Sequence, residues 1–588
     1  MASYKRAGGA AARRGSPDPR ALALVGACLA GLALSVVGRS AASAVDAAAI
    51  ATGVAGAIGA LVLVARTEAE PRLPLGVVAP LLAFLGWSFA CAVASGRGLS
   101  AFMGEPTNLL GWLALAALLS VALAAAALSD EVARLLGVVA PAVLALELAF
   151  AFSQVLTRQP VRGTLPNSTY LGELVVLLLP FVALRPEVVP PRAADLLALG
   201  GVAVLAAGGS RVAALAAGVW LIVEHVPRLA RSVRERVLYA LGAVASAVAG
   251  ALLFAREEVF GSFSPEAWGE RPLMWSDAWR ATLARPVLGF GPDGFVAGGA
   301  SVSTVERMQH GPVLVYRLYG AVDPHSAIAW IAVSTGLVGL ALTVWSGVEV
   351  VRAWRAAPLP AHRRAAVWAV CMVAAVLLTA PLVMQVAPVL ALVAGVSLPR
   401  PPASRAGLGR RAWASLLAAL CLASAAFAAG ALVRLPFEAP DQVRSPRVAA
   451  AAARAAALVR ADPYLWYLAS QHLGWGMRAG TVSAAERPDL AAAMRASELD
   501  RRSPFYALEA ARTLVFYDAP ASDVDAAYAE VFRRWPAFPL AHAERARYLA
   551  STGRVQEAVR EAAVARAFEG DDPEVAAALR AVEEILKN

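Results

Sequence analysis

Through the first three quarters of the chain, long apolar runs alternate with short polar segments, many of them basic. Runs long enough, or nearly so, to cross ~30 Å of hydrocarbon lie at 21–38, 47–65, 75–95, 108–128, 133–153, 170–184, 194–208, 211–226, 236–254, 326–350, 364–382, 385–398 and 412–433. This predicts an all-α polytopic membrane helix bundle of about 12–13 spans, because lipid leaves a spanning backbone no partner outside its own helix. One long polar interruption, 255–325, reads as a large outer loop. The last stretch, 434–588, has helical periodicity and no run long enough to span, so it reads as a separate domain.

The polar segments carry the orientation. With the N-terminus in the cytoplasm, the basic tail 1–20 (Lys5 to Arg20) and the segments Arg228 to Arg236, Arg352 to Arg364 and Arg400 to Arg411 all fall on the cytoplasmic side, as the positive-inside rule requires. An odd number of spans then puts the loop 255–325 and everything after 434 on the outer, periplasm-like face. The first run ends in Ser-Val-Val-Gly-Arg without a small-x-small pattern and is expected to be a span, not a cleaved leader.

Composition sharpens this picture. The hydrophobic share is 59% and the mean hydropathy +0.60, a level that makes lipid the solvent for much of the chain. A net charge of +10 invites a nucleic-acid reading, but the basic residues cluster in short loops and not on one face, so no nucleic-acid partner is expected. Cys28, Cys91, Cys371 and Cys421 all lie in apolar runs, which excludes a disulfide staple in either outer part.

In the C-terminal stretch, the segment from Leu540 to Pro573 places Ala546, Gly553, Ala558 and Ala565 where the paired helices of a tetratricopeptide repeat touch. Aromatic-rich segments at Tyr464 to Tyr467 and at Phe505 and Tyr506 suggest two or three degenerate units before it, giving a TPR-like α-solenoid. Such an array is either a binding or acceptor-positioning surface for a protein partner or a plain helical cap.

Candidate chemistry gathers on the outer side. Only Gly208-Gly209-Ser210 separates two runs before Arg211, so the hairpin turns at the membrane surface. An arginine there costs up to about 2.5–3.5 kcal/mol, which calls for an anionic partner or for snorkelling to headgroups. In the outer loop, Glu270 to Trp279 reads as a short helix with Trp275, Trp279 and Leu283 on one stripe. Arg285-Pro286 stops it, and the turn Gly289-Phe290-Gly291-Pro292-Asp293-Gly294-Phe295 lets backbone approach a neighbour or ligand closely. His325, just before the tenth run, is the general-base candidate, its ordinary pKa lying nearest neutrality; a hydrogen-bonded surface histidine is the plain alternative. Arg211 and Arg271 together match the bidentate geometry of a diphosphate. The loop carboxylates show no ligand-like spacing with histidine, so neither a metal nor another cofactor is expected.

In order along the chain stand Gly104-Glu105-Pro106-Thr107-Asn108-Leu109-Leu110-Gly111, Pro166-Asn167-Ser168-Thr169-Tyr170, Ser210-Arg211, Glu270-Arg271 with Trp275, Pro286 with Gly289-Phe290-Gly291-Pro292 and Phe295, and His325 followed by Gly336-Leu337-Val338-Gly339. With the large loop in its expected place, this set resembles the O-antigen ligase and polymerase superfamily of bacterial envelope glycosyltransferases over roughly 75–350. The resemblance implies a GT-C-like bundle, 21–433, in the bacterial inner membrane, using a glycan on a polyprenyl (undecaprenyl) diphosphate as donor. Transfer to an acceptor hydroxyl would occur at the periplasmic face, without metal and with inversion. It further implies His325 as base, Arg211 and Arg271 at the diphosphate with Arg162 as a third candidate, and Asn167, Tyr170, Trp275, Gly289 and Gly291 along the substrate path. The family often has histidine followed by asparagine where this chain has His325-Ser326, and its Pro166-Asn167 segment is off-pattern too, leaving the acceptor open among a glycan, a lipid A-core and a protein.

A repeat-unit polymerase and a protein O-glycan ligase share this chemistry. Two further readings are a transporter, for which Glu147 and Glu173 would mark an ion path, and a non-catalytic scaffold. The halves of the chain do not resemble one another, which speaks against transport, and a scaffold leaves Arg211, Arg271 and His325 without a reason to gather.

Overall fold

The computed structural model describes residues 17–37, 41–65, 75–165, 167–182, 184, 188–208, 210–225, 270–304, 323–356, 359–398, 410–438, 445–483, 485–567 and 573–587. Within them every regular element is a helix. Twelve of the thirteen expected spans coincide with described helices; the run at 236–254 lies outside the described residues. Five helices are long and apolar enough to cross a bilayer: Ala44–Ala65, Gly76–Ala94, Ser129–Leu156, Ala327–Arg355 and Ala412–Phe437. Shorter apolar helices, among them Trp112–Ala127, Ser168–Phe181 and Ala387–Ser397, fill the bundle between them. The chain is an all-α polytopic membrane bundle.

Small residues set how closely these helices approach. Gly53, Gly56 and Gly59 recur every third residue, so they share one side of their helix. A Cβ on Gly53 would overlap Ala428, one on Gly56 would meet Ala117, and one on Gly59 would meet the Ser120 carbonyl. Backbone therefore packs on backbone, the usual device where lipid removes the hydrophobic drive between helices. The Ser120 hydroxyl donates to the Gly56 carbonyl at 2.7 Å across this contact. The four cysteines are all free, Cys28 and Cys91 buried and Cys371 exposed.

After the last membrane helix, eight helices follow, from Pro446–Leu458 to Pro573–Lys587, each packed on its chain neighbour. Ala546, Ala558 and Ala565 are buried where Pro539–Ser551 meets Val555–Arg566, and Gly553 takes the left-handed turn between those helices at φ +76°. This array is seated on the bundle. Arg434, in the last turn of its membrane helix, grips the Asp462 carboxylate with two 2.9 Å hydrogen bonds, and Asp462 itself caps the helix Pro463–Arg478. The Arg501 N–H reaches the Gly96 carbonyl at 3.3 Å. One apolar core runs from Met274, Phe290 and Phe295 of the outer segment into Tyr528, Trp535 and Phe538 of the array.

Candidate active site

The site is organised by a break in a helix. Ala327–Arg355 begins beside His325, and at Gly336 its backbone swings to φ +68°, outside the helical region. A break strands carbonyls and N–H groups that lipid cannot satisfy. Here protein satisfies them: the Phe290 N–H bonds the Val333 carbonyl at 2.8 Å, the Leu337 N–H bonds Pro286 O at 2.7 Å, and the Trp87 indole donates to Thr335 O at 2.9 Å. The Pro286–Gly291 turn thus plugs the kink. A Cβ on Gly289 would overlap the Val333 carbonyl, one on Gly336 would lie 2.6 Å from Pro286 O, and one on Gly291 would lie 2.7 Å from Ser95 Cβ. Gly289 and Gly291, expected along the substrate path, are both buried, and among the described residues what they approach closely is protein.

Behind the plug lies a saturated polar hub. Asp293, 1% exposed and itself left-handed at φ +56°, accepts from the Glu105 N–H (2.7 Å), the Leu110 N–H (3.3 Å), the Asn108 amide (3.4 Å) and the Trp330 indole (3.1 Å). Arg97, fully buried, donates to Pro292 O at 2.8 Å and pairs with Glu105. Burial is the main force raising the Asp293 carboxyl above its usual range, opposed by Arg97 and the Trp330 indole. Glu105 is pushed up to about 7, by burial first and then by Asp500 and Asp293, against the pull of Arg97. The hub binds three segments far apart in sequence and holds the start of the kinked helix in place. Sequence reasoning missed Arg97 and Asp293 as partners; the signal available was the placement of both in polar, glycine-flanked turns.

In front of the hub is the mouth. His325 is left-handed at φ +47°, and its N–H donates to Asp323 Oδ1 at 2.7 Å. Its ring Nδ1 stands 3.8 Å from the same oxygen, with the side chain 38% exposed and that of Asp323 9%. Sequence reasoning counted Asp323, two residues before the histidine, among the loop carboxylates and gave it no role of its own. Asp323, Pro324 and Ser326 line a cavity of about 270 Å³ that continues past Trp330, Leu81, Phe84 and Leu382 to Ser346. The lining is mostly apolar, with Asp323, Asn108, Ser326, Thr343 and Ser346 its polar members, and His325 stands in sequence between the lining residues Pro324 and Ser326.

Tyr170 and Glu173, on the first turns of Ser168–Leu178, lie within electrostatic reach of Asp323. A Cβ on Gly172 of that helix would overlap the Ser210 hydroxyl, which brings the Ser210-Arg211 hairpin alongside. Arg211 starts its own helix, half-buried. Gly208 abuts the Val161 carbonyl, so exposed Arg162 flanks the same hairpin. Asn167 caps Ser168–Leu178, its side chain accepting from the Thr169 N–H at 2.8 Å. Glu147, weighed as part of an ion path, instead ties the preceding loop to the bundle by accepting from the Thr164 N–H at 2.8 Å and the Thr164 hydroxyl at 2.5 Å.

Arg271 and Trp275 belong to Glu270–Ala284, which packs beside the kinked helix. Met274, Ala278 and Ala281 face the core, while Trp279, Leu283 and Val287 are each 54% exposed; Trp275 is half-buried between these faces. Since the Pro286 and Gly336 ends of the two helices are joined, Arg271 and His325 both lie toward the other end of that pair. Among the described residues, no three histidine, cysteine, aspartate or glutamate side chains converge as a metal cage would require.

No curated protein and no solved structure matches this chain. A family model does: residues 196–344 match O-Antigen ligase. That stretch runs from the helix before Arg211 through Arg271, the glycine turn and His325 into the kinked helix. Over these residues, about a quarter of its length, the chain is similar to the O-antigen ligase family.

Proposed function

We propose that the protein transfers a glycan from a polyprenyl diphosphate carrier to an acceptor hydroxyl, at the end of the bundle where the C-terminal array is seated. The observation that carries this reading is the half-exposed His325 ring, 3.8 Å from Asp323, beside an apolar cavity that Asp323, Pro324 and Ser326 line. A polyprenyl chain suits the apolar lining of this cavity, and its diphosphate would then lie toward the His325 side. Asp323 holds the His325 backbone and stands 3.8 Å from its ring, and His325 takes the proton from the acceptor hydroxyl. The acceptor oxygen forms its bond to the anomeric carbon as the bond to the diphosphate breaks, and the departing diphosphate carries away the electron pair. Arg211 and Arg271, with Arg162 beside the hairpin, neutralise the charge that develops on it. Direct displacement inverts the anomeric carbon and calls on no metal.

In the cell this places the protein in the bacterial inner membrane, N-terminus in the cytoplasm and the array in the periplasm. The array, read as a TPR-like solenoid, would position an acceptor or a protein partner. Whether the acceptor is a lipid A-core, another lipid-linked glycan or a protein distinguishes ligase, polymerase and protein O-glycan ligase. A glycan ladder lost on deletion marks a polymerase, and full-length unattached polymer marks a ligase.

The decisive experiment incubates purified protein with polyprenyl-diphosphate glycan and candidate acceptors in the presence of chelator. Transfer by the parent protein, and a loss of roughly 100-fold or more for His325→Ala, is expected from removal of a general base. A wild-type rate in the variant would remove His325 from the mechanism, and abolition by chelator would overturn the metal-independent reading.

A further inference from the structure

Away from the mouth, where the glycine turn meets the C-terminal array, two guanidinium groups share one aromatic ring. Arg285, at the end of Glu270–Ala284, stands 5.3 Å from the Phe290 centroid, and Arg502, in the turn before the array helix Pro504–Phe516, stands 6.0 Å from it. Each carries a full positive charge, and they repel: burial first, then Arg285 and Arg533, holds Arg502 below its ordinary value. Arg285 Nη1 is buried and makes no hydrogen bond to any described residue.

The nearby carboxylates are already engaged. Asp500 accepts from the Arg502 and Ser503 N–H groups at 3.0 and 3.1 Å, which fixes its own turn. Glu530 is held by Arg533 and Arg534. Two arginines against one buried ring at a junction, close enough to repel and one with a buried donor that no described residue meets, carry a standing cost. An oxyanion bridging them would remove both the repulsion and the missing hydrogen bond, since guanidinium forks match tetrahedral oxyanions in bidentate geometry.

We propose that Arg285 and Arg502 form a binding site for a phosphate-type oxyanion, distinct from the mouth, that clamps the C-terminal array to the turn plugging the kinked helix. Two sources present this chemistry: the headgroup of an anionic phospholipid, and a soluble phosphate. Exposed Leu283 and Val287, on either side of Arg285, would lie against acyl chains in the first case.

The test uses the purified full-length chain in neutral detergent and reads the melting midpoint while inorganic pyrophosphate or phosphatidylglycerol is titrated separately. Either probe should raise Tm, with apparent affinity about tenfold weaker or worse in Arg285→Gln and in Arg502→Gln. Arg280→Gln, an exposed cation on the same helix, should leave it unchanged. A response to pyrophosphate identifies a soluble ligand, and a response to phosphatidylglycerol alone identifies a headgroup. Without any anion, Arg502→Gln should melt at or above the parent, because it relieves the repulsion; a lower midpoint or a misfolded variant would mean that Arg502 is merely structural. No shift in the parent with either probe, or unchanged binding in both variants, overturns the proposal. If Arg271→Gln abolishes the shift while Arg285→Gln and Arg502→Gln keep it, the anion sits at the mouth and the second site does not exist.

Discussion

Asp293 and His325 are both left-handed, non-glycine residues, and they sit on two sides of the same helix start. Such backbone costs of order 1–3 kcal/mol wherever it occurs. At Asp293 four donors converge on the carboxylate and offset that cost, within a pocket closed to solvent. At His325 the N–H donates to Asp323 and holds the turn, and the ring is left partly exposed beside a cavity that its neighbours Pro324 and Ser326 line. The same backbone conformation thus serves two ends. The hub spends it on joining three segments, and at His325 it leaves the ring partly exposed, as the proposed role of a base requires.

If the division is real, breaking the hub must cost stability. Asp293→Ala removes the partner of two backbone N–H groups and the Trp330 indole and leaves Arg97 a carboxylate short. Losing one member of such a buried network is expected to cost about 3–5 kcal/mol. The readout is the melting midpoint and the monodisperse fraction of detergent-purified protein, and a variant as stable as the parent would dissolve the distinction. Next in size is Gly336→Ala. A Cβ there meets Pro286 O and must also adopt φ +68°, so a cost of about 2 kcal/mol or more is expected. Gly347→Ala, where a Cβ meets nothing within 4 Å, serves as the tolerated control in the same melt.

These two positions also mark what the sequence could and could not reveal. The helices were legible because lipid demands long apolar runs, and the alanines at 546, 558 and 565 were legible because helix pairing leaves room only for small side chains. The ordered motifs led to Arg211, Arg271 and His325. The kink did not declare itself, since 326–350 is one unbroken apolar run and Gly336 is only one of several glycines in it. Nor did the hub: Glu105 and Asp293 are 188 residues apart, and nothing local in either turn says which distant turn will meet it. The glycine turn was read as approaching a neighbour or a ligand, and only the structure identifies the neighbour as the broken helix.

Glu105 sharpens the comparison through pH. Three carboxylates, Glu105, Asp293 and Asp500, surround the single Arg97, and Glu105 retains its proton up to about 7 against an ordinary value of 4.5. Between those values the unfolded chain has released this proton while the folded chain still holds it, so the contribution of Glu105 to stability falls as pH rises from about 4.5 to about 7 and is flat beyond. Glu105→Gln keeps an acceptor for Arg97 and cannot titrate. Its melting midpoint should therefore vary less with pH across that window than the parent's. An identical pH profile for the two proteins would assign the dependence to another group.

The smallest effect on stability belongs to the mouth. His325→Asn removes the ring but keeps a side chain that tolerates the left-handed region better than most, and the backbone N–H remains to bond Asp323. The ring is 38% exposed and its ion-pair distance to Asp323 is long at 3.8 Å, so little packing is lost. The melting midpoint should stay within the equivalent of about 0.5 kcal/mol of the parent, while glycan transfer falls as it does for His325→Ala. A destabilisation approaching that of Asp293→Ala would mean that His325 is part of the framework and that hub and mouth are one structural unit.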